Sequence, residues 1–202
     1  MTLDLQNKNA DIEKIANAAI KDKKLVSDLI ENLKIKNETI RYNSHKILVI
    51  ITEQKPELVY PYWEVLEQML EGKSAYWRLS AVNLISNLTK ADTKNKFDKM
   101  FDKYYNLLDD SIIIAANMTG YSWKIIKAKP HLEDRITNLL LNIDKADQKH
   151  KGLLAFGAIE TFDKIFQKSE NKNKILEFVK KQLGCDSPKT RKIAKEFIQK
   201  WA

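Results

Sequence analysis

Three histidines, one cysteine and a few adjacent acids are the residues of this 202-residue chain that could do chemistry. His45, His131 and His150 stand far apart and show none of the paired spacings that put metal ligands on one helix face. They read as surface or capping residues. Cys185 follows Gly184 where an apolar-periodic run stops, with no histidine near it in sequence, which fits a structural thiol better than a nucleophile. A single cysteine cannot form an internal disulfide and matches a reducing compartment. The acid pairs Asp109-Asp110 and Glu133-Asp134 fall where helices begin, where carboxylates favour the free N–H groups and the macrodipole. There is no Gly-rich phosphate loop, no Gly-x-Ser-x-Gly turn and no cysteine pair. The reading is a non-enzyme with no catalytic residues, no cofactor motif and no metal set.

The other chemistry available is charge. The net charge is +8, and it is unevenly placed. Residues 1–144 hold 21 basic and 20 acidic groups, whereas residues 145–202 hold 14 and 7. The C-terminal third therefore carries nearly all the excess and would set up a positive field at one end. Only four of the basic residues are arginine: Arg41, Arg78, Arg135 and Arg191. Specific recognition of phosphates and bases leans on arginine, and the abundance of Lys, Asn and Ile is also what an AT-rich coding bias produces.

The elements that would position these groups are helices. Five glycines and four prolines leave few breaks, and 44% hydrophobic with 31% charged residues is ordinary for a soluble helical chain. Apolar residues at helical spacing mark segments over 10–20, 22–33, 37–52, 56–71, 73–89, 94–108, 112–128, 131–143, 153–166, 175–183 and 188–201. Asn37 and Ser187 are good N-caps, and Pro188 suits the first helical position. Pro56 and Pro130 would each open a second helix, with Pro61 leaving the first of those starts uncertain. Gly72 and Gly184 would close helices as C-terminal caps. Segment 112–128 is apolar nearly all round and reads as a buried central helix. In 131–143 the inward residues would be Leu132, Ile136, Leu139, Leu140 and Ile143, and Asp144 to Gln148 would turn the chain. No run is long and apolar enough to span a membrane, and no N-terminal run looks like a signal peptide, so the cytoplasm is the expected location.

The segments repeat. Arg191, Ala194, Phe197 and Ile198 have the same spacing as Arg78, Ala81, Leu84 and Ile85, and Arg41 with Ser44, Ile47 and Leu48 gives a third copy. Arg41 and Arg78 are 37 residues apart, Gly120 and Gly157 are 37 apart, and Pro56 and Pro130 are 74 apart. The two copies between, at 112–126 and 153–166, lack the arginine. A glycine inside a helix costs about 1 kcal/mol relative to alanine, which close approach of a neighbouring helix would offset. A period in the high thirties with two helices per unit means stacked helix pairs.

On Asp186-x-x-x-x-Arg191-x-x-Ala194-x-x-Phe197-Ile198, on Arg78-x-x-Ala81-x-x-Leu84-Ile85 and on Pro56-Glu57-Leu58-Val59, the chain resembles the HEAT-repeat family over residues 37–202. The copy at 78 departs at Lys73, where Asp186 stands. The resemblance implies an all-α fold, a right-handed α-α superhelix of about five helix pairs and a terminal helix. All 202 residues would form one domain, with an atypical first pair over 1–36 and a capping helix over 187–202. The family hosts scaffolds, transport adaptors and nucleic-acid binders, so it implies the fold more than the task.

The expected function is a non-catalytic scaffold that binds a protein or peptide on the face of the second helices, with Tyr62, Trp63, Tyr104 and Tyr105 as anchors beside nearby lysines. The alternative is nucleic-acid binding, with phosphates meeting Lys172, Lys174, Lys180, Lys181, Lys189, Arg191 and Lys192. Glycosylases of alkylated DNA bases are similar in architecture and positive charge. The adjoining Trp-Trp-Asp run expected of them is missing here, since Trp123 is followed by Lys124 and Ile125, and Trp77 by Arg78 and Leu79. No membrane contact is expected.

Overall fold

A computed structural model describes residues 5–143 and 151–202, all of them helix, turn or loop, with no strand among the described residues. The turn expected at Asp144 to Gln148, and His150, lie outside those residues. The chain divides into two compact units, residues 1–99 and 100–202.

The first unit holds α1 (Ile12–Ala19), α2 (Lys23–Asn32), α3 (Glu38–Gln54), α4 (Trp63–Leu70) and α5 (Ala75–Leu88), and ends within α6 (Lys96–Tyr105). Short polar side chains start the helices by taking up free N–H groups of the first turn. Asp11 accepts from Lys14 N, Asp22 from Lys24 N and Asn37 from Ile40 N. Asp92 does this for α6, accepting from Lys96 N and Phe97 N, each at 2.9 Å. α3 packs between α1 and α5, with α2 and α4 alongside. Two long-range bonds tie α3 to α5: Asn87 donates to Thr52 Oγ1 at 2.9 Å, and the Tyr76 hydroxyl to the carbonyl of Arg41 at 3.0 Å.

The second unit holds the end of α6, then α7 (Ile112–Ala128), α8 (Glu133–Leu141), α9 (Lys151–Ile165), α10 (Lys172–Gln182) and α11 (Pro188–Trp201). α9 packs between α7 and α11, and α8 and α10 lie along them. Ser187 caps α11 through Thr190 N, with Pro188 at the first helical position as its fixed φ favours. Phe166 packs edge-on to Phe197 and against Trp201, both at 5.1 Å, so the last helix is closed by aromatic contacts.

Several local expectations change. Pro56 and Pro130 open short 3₁₀ turns, Pro56–Leu58 and Pro130–Leu132, and the α-helices start later, at Trp63 and Glu133. Each proline follows a lysine in nearly the same conformation, Lys55 at φ −139°, ψ 63° and Lys129 at φ −134°, ψ 75°. Both lysines thus lie outside the helical region, which the proline ring disfavours for the residue before it. Neither Gly72 nor Gly184 adopts positive φ, so they do not close their helices as left-handed caps. At Gly72 the need is space, because a Cβ would come within 2.8 Å of the Trp77 ring. The helix buried all round is α5, not α7. Every residue from Ser80 to Leu88 is buried, while Ile113 of α7 stays 60% exposed. Of the polar residues buried there, Ser86 bonds to the Asn83 carbonyl and Asn87 to Thr52, whereas Ser80 Oγ and Asn83 Oδ1 are buried without a hydrogen-bond partner among the described residues.

The closest helix approach is α7 on α9. Gly157 presents bare backbone to α7, where an added Cβ would lie 2.2 Å from Thr119 Oγ1 and 2.9 Å from the backbone nitrogen of Gly120. Thr161 Oγ1 donates to the Thr119 carbonyl at 2.6 Å, which places a hydrogen bond across the crossing. Gly120 has ordinary space, its nearest contacts being 3.6 and 4.0 Å. The two glycines should therefore behave oppositely. In urea unfolding, Gly157→Ala should destabilise by about 1–3 kcal/mol through overpacking. Gly120→Ala should be neutral or stabilise by up to about 1 kcal/mol through helix propensity. Equal effects would contradict this packing.

Candidate functional site

Three arginines share one local geometry. Each is the fourth residue of its helix, Arg41 in α3, Arg78 in α5 and Arg191 in α11. Each donates from Nη1 to the carbonyl six residues upstream: Arg41 to Ile35 at 3.3 Å, Arg78 to Gly72 at 2.5 Å and Arg191 to Cys185 at 2.6 Å. Those carbonyls lie just past the ends of α2, α4 and α10, where helical acceptors lose their partners. Arg191 also reaches the Asp186 carbonyl at 2.9 Å. The repeated arginine is thus a clasp on the loop between helix pairs. Arg191 is engaged there and is not presented to a phosphate.

The rest of the expected phosphate set is at the surface. Lys172, Lys174, Lys180 and Lys181 are exposed on α10, and Lys189 and Lys192 on α11. Lys189 rests over the Phe156 ring at 4.0 Å, and Lys192 lies 4.0 Å from Glu196.

The expected aromatic anchors are mostly core. Trp63 and Tyr104 are fully buried, Tyr105 nearly so, and only Tyr62 keeps partial exposure. Successive helical residues point about 100° apart, so burial of both Tyr104 and Tyr105 means the last turn of α6 is enclosed on two sides. Tyr105 exchanges a hydrogen bond with Ser122 of α7 at 3.0 Å and packs at 5.1 Å on Tyr104. Burial pushes both phenols well above their usual range. Trp63 and Tyr104 hold the fold and offer no free face to a partner.

Two surface grooves of the second unit do gather side chains. One, of about 490 Å³, runs along α6 and α8 and is lined by Phe101, Asp102, Tyr105, Arg135 and Leu139. The Arg135 guanidinium sits 3.8 Å over the Phe101 ring and pairs with Asp102. Leu139, expected to point inward, is 36% exposed instead. The helical stripe of α8 is narrow and is filled by Ile136 and Leu140, which leaves Leu139 at its edge. Leu139 was not legible as a surface residue, since periodicity places a leucine by default in the core.

The second groove, of about 500 Å³, crosses α7, α9 and α11 and contains Trp123, Glu160, Asp163, Lys164, Glu196 and Lys200. Asp163 accepts from Lys200 at 2.9 and 3.0 Å and from Trp201 Nε1 at 2.7 Å. Partial burial would raise its pKa, but the Lys200 and Trp201 hydrogen bonds outweigh that and hold it below the usual carboxylate range. Burial raises Glu160, against the pull of Lys189 and Lys164. The described residues contain no group of three His, Cys, Asp or Glu side chains that could hold a metal ion. None of their helices is long and apolar enough to cross a membrane. Comparison with known proteins finds no family model that matches the chain and no curated protein that matches its sequence.

Folding also changes the titration of His45. It is largely enclosed on α3, edge-on to the Tyr76 ring at 6.1 Å, and its Nδ1 has no hydrogen-bond partner among the described residues. Burial lowers its pKa from 6.5 to about 4. Between those values the unfolded chain takes up a proton that the folded chain refuses. Stability is therefore full above about pH 6.5 and falls as the pH drops toward 4. From pH 7 to 5 this costs roughly 2 kcal/mol. Chemical denaturation at both values should show that loss in the wild type and a smaller one, by about that amount, in His45→Gln. An unchanged pH dependence in the variant would contradict the assignment.

Proposed function

We propose that the chain is a non-catalytic binding scaffold, a right-handed α-α superhelix of HEAT-like helix pairs that takes up a protein or peptide on the face of its second helices. The repeated arginine clasp and the 37-residue register of its helices support this architecture. The partner-binding reading is carried by the groove between α6 and α8. There an exposed leucine lies beside an arginine already fixed over an aromatic ring, so little side-chain freedom is lost on binding. Arginine is enriched among the few residues that supply most of the energy in such contacts, and Leu139 adds apolar area beside it. The anchors are thus Leu139 and Arg135, with Tyr105 forming part of the groove wall, in place of the four aromatics expected at first.

The test is affinity capture with wild type and Leu139→Asp side by side, followed by titration of each captured protein. Leu139→Asp should weaken a true partner by about 30-fold, the effect of losing a central anchor. Titration curves that do not differ, with both proteins equally folded by circular dichroism, would sink the assignment of this groove.

A further inference from the structure

The turns between the paired helices carry a repeating positive charge. Lys127, in the last turn of α7, and Lys164, in the last turn of α9, are 37 residues apart. His131 and Lys168, just beyond the same helices, are also 37 apart. One period earlier in the sequence the same positions are Lys90 and Lys94, and before that Glu53 and Glu57. Lys127, Lys164 and Lys168 are exposed and converge on one groove of about 630 Å³. Its floor includes Ile126 and Ile165, and Glu133, with Oε1 buried, is the acid among its lining residues. None of the three lysines forms an ion pair among the described residues. Lys127 rests on the Trp123 ring at 4.7 Å.

We propose that this groove binds the phosphodiester backbone of a nucleic-acid duplex without reading its sequence. Lysines in a last helical turn are often explained by the helix dipole, which would account for Lys127 and Lys164. Lys168 lies past the end of α9, so the groove holds more positive charge than that effect requires. Packed helices sit about 8–10 Å apart, so cations repeated on successive helices form a line. A line of cations suits a linear polyanion better than a single anion.

The arginines exclude a sequence-reading contact. Arg41, Arg78 and Arg191 clasp loop carbonyls, and Arg135 pairs with Asp102. Lysine is left as the contact residue, and lysine meets phosphates as a point charge rather than bases as a fork. Among the described residues the exposed large hydrophobics are Tyr42, Ile113, Leu139, Leu153 and Leu183, and none of them lines the groove. It therefore offers nothing to insert into a lipid interface or to anchor an acidic peptide. This site is separate from the α6–α8 groove, and either assignment can fail alone.

The experiment is fluorescence anisotropy with a labelled DNA duplex and an RNA duplex of the same sequence, at about 50 and about 200 mM salt. Each lysine removed from a phosphate contact lowers the slope of log K against log salt by about 0.9. The triple variant Lys127→Gln/Lys164→Gln/Lys168→Gln should lower that slope by about 2.7 and weaken binding at least about tenfold. The control Lys21→Gln/Lys24→Gln/Lys36→Gln removes the same charge from the exposed surface of the first unit and should stay within about threefold of wild type. Thermal melts of both triples confirm that they are folded. Four results would overturn the proposal: no duplex binding by wild type at the lower salt, equal losses in the two triples, displacement of the duplex by polyglutamate at equal charge, or binding to phosphatidylserine vesicles without binding to either duplex.

Discussion

Where a helix ends, its last carbonyl groups lose their helical partners, and something else must take them up. The loop just beyond a helix has the same need, and three times in this chain an arginine six residues further on meets it, at the carbonyls of Ile35, Gly72 and Cys185. The bond ties the short loop to the helix that follows it. Placing the arginine at the fourth helical position aims its side chain back toward the N-terminus, as helical side chains point. At Arg41 the clasp is braced from the next pair, since the guanidinium lies 4.6 Å over the Tyr76 ring while the Tyr76 hydroxyl bonds the Arg41 carbonyl.

Once the loops are fixed, helices of like position lie against one another, and their buried faces must tolerate close contact. The first helices meet this with small and hydroxyl side chains. Thr119, Gly157 and Thr161 let α7 and α9 approach, and Thr190 of α11 bonds the Gly152 carbonyl of α9 at 2.7 Å. The second helices have a simpler task and keep a single apolar stripe, such as Ile175, Phe178 and Val179 in α10. Their outer sides are linked by polar contacts between successive second helices, Glu64 with Lys96, Asp102 with Arg135, and Asp134 with Asn171. The two kinds of helix thus divide the work between packing and surface.

This division explains what could be read from the sequence and what could not. The start of α11 at Ser187-Pro188 and the cap at Asn37 follow from local rules that tertiary contacts do not override, whereas of the two helical glycines 37 apart only Gly157 meets a close neighbour. The arginine register was visible as spacing, but its acceptors are backbone carbonyls, which leave no trace in residue identity. Trp63, Tyr104 and Tyr105 were misplaced because adjacency of rings along a helix was read as exposure, whereas the helix is enclosed on two sides. α7 reads as the more buried helix because hydropathy counts Ser80, Asn83, Ser86 and Asn87 against α5, although α5 buries all four. The surface residues were hardest to find. Leu139 looks like any core leucine, and the groove lysines emerge only when the 37-residue offset is applied to charge instead of to apolar residues.

The most direct test of the arginine clasp is the unfolding free energy of four single variants, Arg41→Met, Arg78→Met, Arg191→Met and Arg135→Met. Methionine keeps the apolar stem and removes the donors. Loss of a half-buried, charge-assisted bond to a carbonyl should cost each of the first three about 1–3 kcal/mol. Arg135, paired with Asp102 at the exposed surface, should cost no more than about 1 kcal/mol. Four equal effects, or a larger loss at Arg135 than at the three repeated positions, would contradict the account.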